Sequence, residues 1–130
     1  MLDEPSLRQL LDAGTFGRLV YTAQSLPAVD LVYFVLDDDA LVIQLREALT
    51  PLIDGTIVAF QLDDIDIEQW RGWSVTVVGR AELMDDHATR ARLSHFSFPR
   101  DAPADPMQFM RIPLTLVFGP HLVGCPDPFP

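Results

Sequence analysis

Six short runs of β-branched and aromatic residues follow one another along the chain. They are Arg18 to Thr22, Ala28 to Leu36, Ala40 to Leu45, Thr56 to Leu62, Trp73 to Glu82 and Met110 to Phe118. Parallel strands need crossover connections of a dozen or more residues, and the first four intervals between runs are shorter than that. The sequence therefore predicts strands that pair antiparallel through short turns.

Parts of two of these runs, Leu31 to Leu36 and Val75 to Val78, are too apolar to belong to strands with one face in solvent. Closing the sheet into a small barrel buries such strands and removes exposed edges. Pro113 places the last strand at an edge or a bulge. We therefore expect a mainly β fold, a six-stranded antiparallel barrel with a few helices, which forms a homodimer through part of its apolar surface.

Helices are expected only outside the sheet. Capping and turn residues predict a short helix between Asp3 and Gly14, and helical composition with an aspartate start predicts another from Asp85 to His95. A proline-punctuated loop, Phe96 to Pro106, follows the second helix. The 130 residues have the size of one domain, 1–130, with a flexible proline-rich tail from about residue 122 to residue 130.

Charge and composition restrict the partners of the chain. Nineteen acidic residues against nine basic ones give a net charge of -10, so most of the surface repels nucleic acid. All basic residues are arginine, which excludes a catalytic lysine. Cys125 is the single cysteine, so neither a disulfide nor a cysteine-pair zinc site is available within the chain. With no secretory leader or membrane-spanning run at sequence level, we expect a cytoplasmic protein without a membrane partner.

Metal-binding residues are sparse in the sequence. The three histidines are far apart: His87, His95 and His121. Asp64, Asp66 and Glu68 alternate, as a hard cation requires of ligands on an extended segment, but no glycine turn accompanies them. We therefore interpret the acidic series as a solvated loop face and predict no metal.

Familiar catalytic patterns are also missing. Ser94 and His95 are neighbours, but adjacency does not supply the orienting acid of a hydrolase, and no Gly-x-Ser-x-Gly turn is present. The glycines are scattered singly, which excludes a glycine-rich phosphate loop. Trp70 and Trp73 favour core or dimer packing over a cofactor wall, and Arg111 favours pairing with an acidic neighbour over binding an anion.

Four segments carry a resemblance to a known family. They are Gly17-Arg18-Leu19-Val20, Val58-Ala59-Phe60, Asp63-Asp64-Ile65-Asp66, and Gly72-Trp73-Ser74-Val75 running to Gly79-Arg80-Ala81-Glu82. With the strand pattern, they resemble the small members of the pyridoxamine 5'-phosphate oxidase-like family, the flavin-binding split barrels. The resemblance implies a six-stranded split-barrel dimer that holds FMN at its interface, or the deazaflavin F420 in some branches.

The resemblance also implies where a cofactor would bind. Trp73 and Ser74 would lie near the flavin ring, and the segment from Ile43 to Thr50 near the phosphate. The cofactor-binding residues expected on this basis are Ile43, Gln44, Leu45, Arg46, Thr50, Trp73, Ser74 and Arg111. No catalytic side chain is identified, because hydride transfer in such a protein is carried by the flavin.

The chain departs from the family pattern at the phosphate. Relatives commonly read Phe-Arg-Thr and then Ser-Lys-Leu, whereas this chain has Ile43-Gln44-Leu45 and Leu49-Thr50-Pro51. A charge-assisted hydrogen bond contributes about 1.5 to 3 kcal/mol, so losing two weakens FMN by roughly two to four orders of magnitude. Arg46 is close in sequence, and a partner's Arg18, Arg71 or Arg111 is a further candidate cation.

Two functions remain open at this stage. The first is a flavin-binding oxidoreductase acting on an unidentified small molecule. The second is a divergent split-barrel dimer that has lost its cofactor and serves as a ligand-binding or interaction domain, which Gln44 and Thr50 favour.

Overall fold

One antiparallel sheet dominates the structure, a computed structural model that describes residues 16–84, residue 91 and residues 107–123. In chain order the elements are β1 (Phe16–Ala23), β2 (Leu26–Asp37), β3 (Ala40–Arg46), a 3₁₀ turn (Glu47–Leu49), α1 (Thr50–Ile53), β4 (Ile57–Asp66), β5 (Arg71–Arg80), β6 (Glu82–Leu83), β7 (Met107–Pro113) and β8 (Leu116–Val123). The strand order is β6-β7-β3-β2-β1-β4-β5-β8. The predicted mainly β, antiparallel fold class is confirmed.

Several predicted segments lie outside the described residues. They are the helices Asp3 to Gly14 and Asp85 to His95, apart from the helical residue 91, the loop Phe96 to Pro106, and residues 124–130 of the predicted tail. Residues 122 and 123 belong to β8. In the described part of the chain, no helix has the length and apolar character needed to cross a membrane.

The described sheet has eight strands where the sequence predicted six. The run Trp73 to Glu82 divides at Ala81, whose N–H donates to Thr56 O (2.9 Å) and whose carbonyl accepts from Gly55 N (2.7 Å). Met110 to Phe118 was predicted as one strand, but it divides at residues 114–115. The chain turns there, with Leu114 N donating to Asp39 O (3.0 Å), and β8 pairs with β5.

Alternation along the strands separates two faces of the sheet. In β4, Val58, Phe60 and Leu62 are buried, whereas Ala59, Gln61 and Asp63 between them are partly exposed. Successive side chains of a strand point to opposite faces, so the buried set defines a core face and the other set an outer face. The rings of Phe34 and Phe60 meet edge to face in the core, with centroids 4.8 Å apart.

Two glycines allow the sheet to curl tightly around this core. A Cβ at Gly17 would lie 2.5 Å from the tip of the Phe60 ring, so that ring occupies the space above β1. A Cβ at Gly79 of β5 would lie 3.1 Å from the carbonyl oxygen of Pro113 in β7. β5 and β7 are not neighbours in the strand order, so this approach shows how far the sheet wraps round.

The β1–β2 connection is a two-residue turn. Ala23 pairs directly with Leu26, and the two residues between them have positive φ, 53° at Gln24 and 66° at Ser25. Positive φ at both central positions is the signature of a type I′ turn, which favours Asn-Gly because other residues are strained there.

We expect the double substitution Gln24→Asn/Ser25→Gly to raise the free energy of unfolding by about 1 kcal/mol, because it relieves this strain. Thr115→Gly is the matched control, since residue 115 lies in a two-residue turn but has no positive φ. It should lower stability by about 0.5 to 1 kcal/mol. Urea unfolding measures both changes, and a loss of stability in the Asn-Gly variant would contradict the turn assignment.

Candidate functional site

An uninterrupted apolar row crosses five strands on the outer face. Strand register aligns its members from β2 through β1, β4 and β5 to β8: Val29, Val20, Ala59, Val78 and Leu116. The two ends of this apolar row, Val29 and Leu116, are each about half exposed or more. A contiguous apolar surface of this kind on a soluble protein commonly marks an interaction or ligand site.

A second row of residues lies beside the apolar row and has polar side chains at its centre. Leu31, Arg18, Gln61, Thr76 and Phe118 follow one another in register across the same five strands. Arg18 Nη1 donates to Asp63 Oδ2 at 2.6 Å. This polar row therefore offers hydrogen-bonding groups in the centre, with exposed apolar side chains at either end.

The third row is aromatic and contains Gln44. Phe109, Gln44, Tyr33 and Phe16 align across β7, β3, β2 and β1. The Phe16 and Tyr33 rings pack edge to face with centroids 5.9 Å apart. Gln44 is only 8% exposed. The aromatic row therefore places a buried, uncharged amide where the family resemblance predicts the phosphate.

The predicted phosphate-side residues divide between the two faces. Ile43 and Leu45 are buried in the core, so their side chains offer no surface to a ligand on the outer face. Gln44 lies between them in β3 and takes the opposite face. Thr50, at the start of α1, is 7% exposed, and its hydroxyl has no hydrogen-bond partner among the described residues. Such orphaned buried groups are rare in folded proteins.

The predicted ring-side residues are also separated. Trp73 packs against the core, whereas Ser74 faces outward and is paired in register with Asp63 of β4. Trp70 is 67% exposed with φ of 54°, so of the two expected alternatives, core or dimer packing, the structure excludes core packing for this residue. Of the two residues predicted to lie near the flavin ring, only Ser74 is on the outer face.

Three arginines close to the predicted site are paired with carboxylates. Arg111 Nη2 lies 3.1 Å from Asp39 Oδ1, which confirms the acidic neighbour expected for Arg111. Arg46, the last residue of β3, lies 3.6 Å from Asp30. With the Arg18–Asp63 pair, these contacts leave each guanidinium beside an opposite charge. The pairs are partly exposed, so each adds little to stability, but each reduces the local positive field.

A buried tyrosine beside Asp30 was not identified from the sequence. The Tyr21 hydroxyl donates to Asp30 Oδ2 at 2.5 Å across β1 and β2, and Arg46 approaches the other carboxylate oxygen. The hydrogen bond to Asp30, followed by burial and by the charge of Asp30, raises the pKa of Tyr21 above its ordinary value of 10.0. Tyr21 and Asp30 share the core face, which the alternation of β1 and β2 could have indicated.

The raised pKa gives stability an alkaline dependence. The folded state favours the protonated Tyr21 phenol over the ionised one. The stabilisation that this phenol provides is therefore complete below pH 10 and is lost as the pH rises through the higher pKa of the folded state. Tyr21→Phe should lower the free energy of unfolding by about 1 kcal/mol near neutral pH and remove part of this alkaline loss. Tyr33→Phe, which leaves the Tyr21–Asp30 bond intact, is the control. Urea unfolding across the alkaline range measures the free energy of unfolding of each variant. If Tyr21→Phe lost as much stability at alkaline pH as the wild type, the loss could not be assigned to Tyr21.

Asp66, one member of the acidic series, shapes the β4–β5 turn. Asp66 Oδ1 accepts hydrogen bonds from the backbone N–H groups of Glu68 (3.0 Å) and Gln69 (3.3 Å). Asx-turn bonding of this kind shapes a turn without a metal. Within residues 16–84, 91 and 107–123, no group of three potential ligands is arranged to hold a metal ion. Of the histidines, only His121 is a described residue, in β8.

Comparisons with known proteins identify the family. The sequence profile of pyridoxamine 5'-phosphate oxidase matches residues 3–118. An uncharacterized protein of Mycobacterium tuberculosis is 31% identical over 107 residues, covering 75% of this chain and 69% of its own length. The FAD binding protein of Mycobacterium smegmatis superposes with a TM-score of 0.78 at 24% identity, over 95% of this chain and 98% of the other.

A FAD-binding protein of Mesorhizobium loti has a TM-score of 0.67 at 24% identity, covering 89% of this chain and 92% of the other. These likenesses agree with the curled antiparallel sheet described above. The family match covers nearly all described residues, including the three outer-face rows. The chain therefore belongs to the pyridoxamine 5'-phosphate oxidase family and has the fold of its split barrels.

Proposed function

We propose that this protein is a cytoplasmic homodimer that binds a flavin-type cofactor between the outer faces of its two subunits. The main support for this proposal is the apolar row, which spans five strands and whose ends are exposed in the single chain. A second copy would cover this surface, and a twofold interface uses the same patch on both subunits. The structural relatives named as FAD-binding proteins support the choice of a flavin ring.

The outer face matches the ring of a flavin. An isoalloxazine needs apolar walls and a few hydrogen-bonding groups at its polar edge. The apolar row supplies the walls, and Ser74, Thr76 and Gln61 supply polar groups beside it. A bound flavin would supply hydride-transfer chemistry toward a small-molecule substrate. The side chains described here would bind and orient the ring and shield it from water.

The residues expected at the phosphate do not match FMN. Position 44 carries an amide and position 50 a hydroxyl, and the nearby Arg46 is paired with Asp30. This mismatch supports a second candidate function, in which the dimer has lost the cofactor and binds another apolar ligand. The two functions differ in whether any flavin binds at all.

Flavin titration separates the two candidates. We expect the purified protein to bind at least one of FMN, FAD, riboflavin and F420 with a micromolar dissociation constant, followed by flavin fluorescence and isothermal calorimetry. Failure of all four to bind below the millimolar range would reject the flavin-binding function and leave the cofactor-free ligand-binding domain.

The proposed interface predicts a face-specific effect on assembly. Leu31→Glu should convert the dimer to a monomer at micromolar concentration, because it places a charge beside the apolar row. Leu26→Glu is the matched control. Leu26 lies on the same strand and is as exposed as Leu31, 67% against 68%, but the alternation of the strand assigns it to the opposite face of the sheet. Sedimentation velocity measures both. Dimers of equal stability in the two variants, or a wild-type monomer, would contradict the interface.

A further inference from the structure

Resting on the proposed function, we infer that the ligand of this protein carries no phosphate monoester at the end of the site that the family resemblance assigns to Gln44 and Thr50. The ligand class is a planar heterocycle whose tail is hydroxylated or apolar and uncharged at that end. Riboflavin represents this class, and FMN differs from riboflavin only by the phosphate. Gln44 and Thr50 are then specificity-determining residues.

Gln44 provides a neutral, enclosed environment. Its neighbours in the aromatic row are Tyr33 and Phe109, and the side chain is over nine-tenths buried. A phosphate dianion placed there loses its hydration and gains no cation from its described neighbours in this row, which is strongly unfavourable. A hydroxyl or amide on a ligand meets no such penalty, because it exchanges neutral hydrogen bonds for neutral hydrogen bonds.

Thr50 provides an unused hydroxyl in the same segment. Its Oγ1 is buried and has no partner among the described residues. A threonine hydroxyl donates one hydrogen bond and accepts others, so it complements an alcohol, which also does both. It cannot neutralise a phosphate as an ammonium group does.

Three arginines among the described residues are already matched by negative charge. Arg46 is held near Asp30, Arg111 near Asp39 and Arg18 near Asp63. Releasing any of these arginines to a phosphate would leave a carboxylate beside the anion. Glu47, next to Arg46, and the chain's net charge of -10 add further repulsion.

The first test uses the wild-type protein. Isothermal calorimetry with riboflavin and with FMN, at low and at high ionic strength, gives four dissociation constants. We expect riboflavin to bind at least tenfold more tightly than FMN at low ionic strength. Added salt should narrow the gap, because it screens the repulsion of the phosphate.

The second test restores positive charge. Gln44→Arg/Thr50→Lys should improve FMN binding relative to riboflavin by more than tenfold. Leu26→Arg/Ile67→Lys is the control, because it adds the same two charges at exposed positions outside the three outer-face rows. It should change the ratio by much less. Thermal unfolding of each variant establishes that it is folded before titration.

The outcomes distinguish this inference from the function on which it rests. FMN binding more tightly than riboflavin to the wild type, with affinity that falls as salt rises, would overturn the inference and leave the flavin-binding function intact. Equal gains for FMN in both charge variants would also overturn it, because the effect would then come from overall charge. If no flavin binds the wild type, the proposed function and this inference both fail.

Discussion

The structure depends on the alternation of side chains across a tightly curled sheet. Phe60 and Phe34 meet on the core face, with Gly17 leaving room for the Phe60 ring. Once these residues face inward, the intervening positions must face outward, because a strand has a period of two. Register then aligns Val20, Ala59 and Val78 across three strands. The apolar row is therefore a direct consequence of how the core is packed.

The electrostatics of the outer face follow from the same register. The strands bring Arg18 to Asp63, and the β2–β3 turn brings Asp39 to Arg111. These pairs are weak as stabilising contacts, but each places a carboxylate beside a guanidinium that an anionic ligand would otherwise use. The fold thus presents an apolar row on its outer face, with the buried amide of Gln44 in the aromatic row of the same face.

Much of the fold was predictable because β-branched runs and short turns are local signals. The division of Met110 to Phe118 was not, because its turn at residues 114–115 contains no glycine, proline, asparagine or aspartate. The break at Ala81 depends on hydrogen bonds to Gly55 and Thr56, which are distant in sequence. From the sequence, the phosphate end of the candidate site could be located only as the segment from Ile43 to Thr50. Alternation within β3 could have separated Gln44 from Ile43 and Leu45, whereas only the structure shows that the Thr50 hydroxyl has no hydrogen-bond partner among the described residues.

The central claim is that ligands bind on the outer face of the sheet. Chemical-shift mapping by nuclear magnetic resonance, with riboflavin added to isotope-labelled protein, tests it most directly. We predict that the largest shifts occur at outer-face residues such as Tyr33, Gln44 and Thr76. Shifts confined to the Tyr21–Asp30 end of the core face, with the outer rows unchanged, would contradict the account.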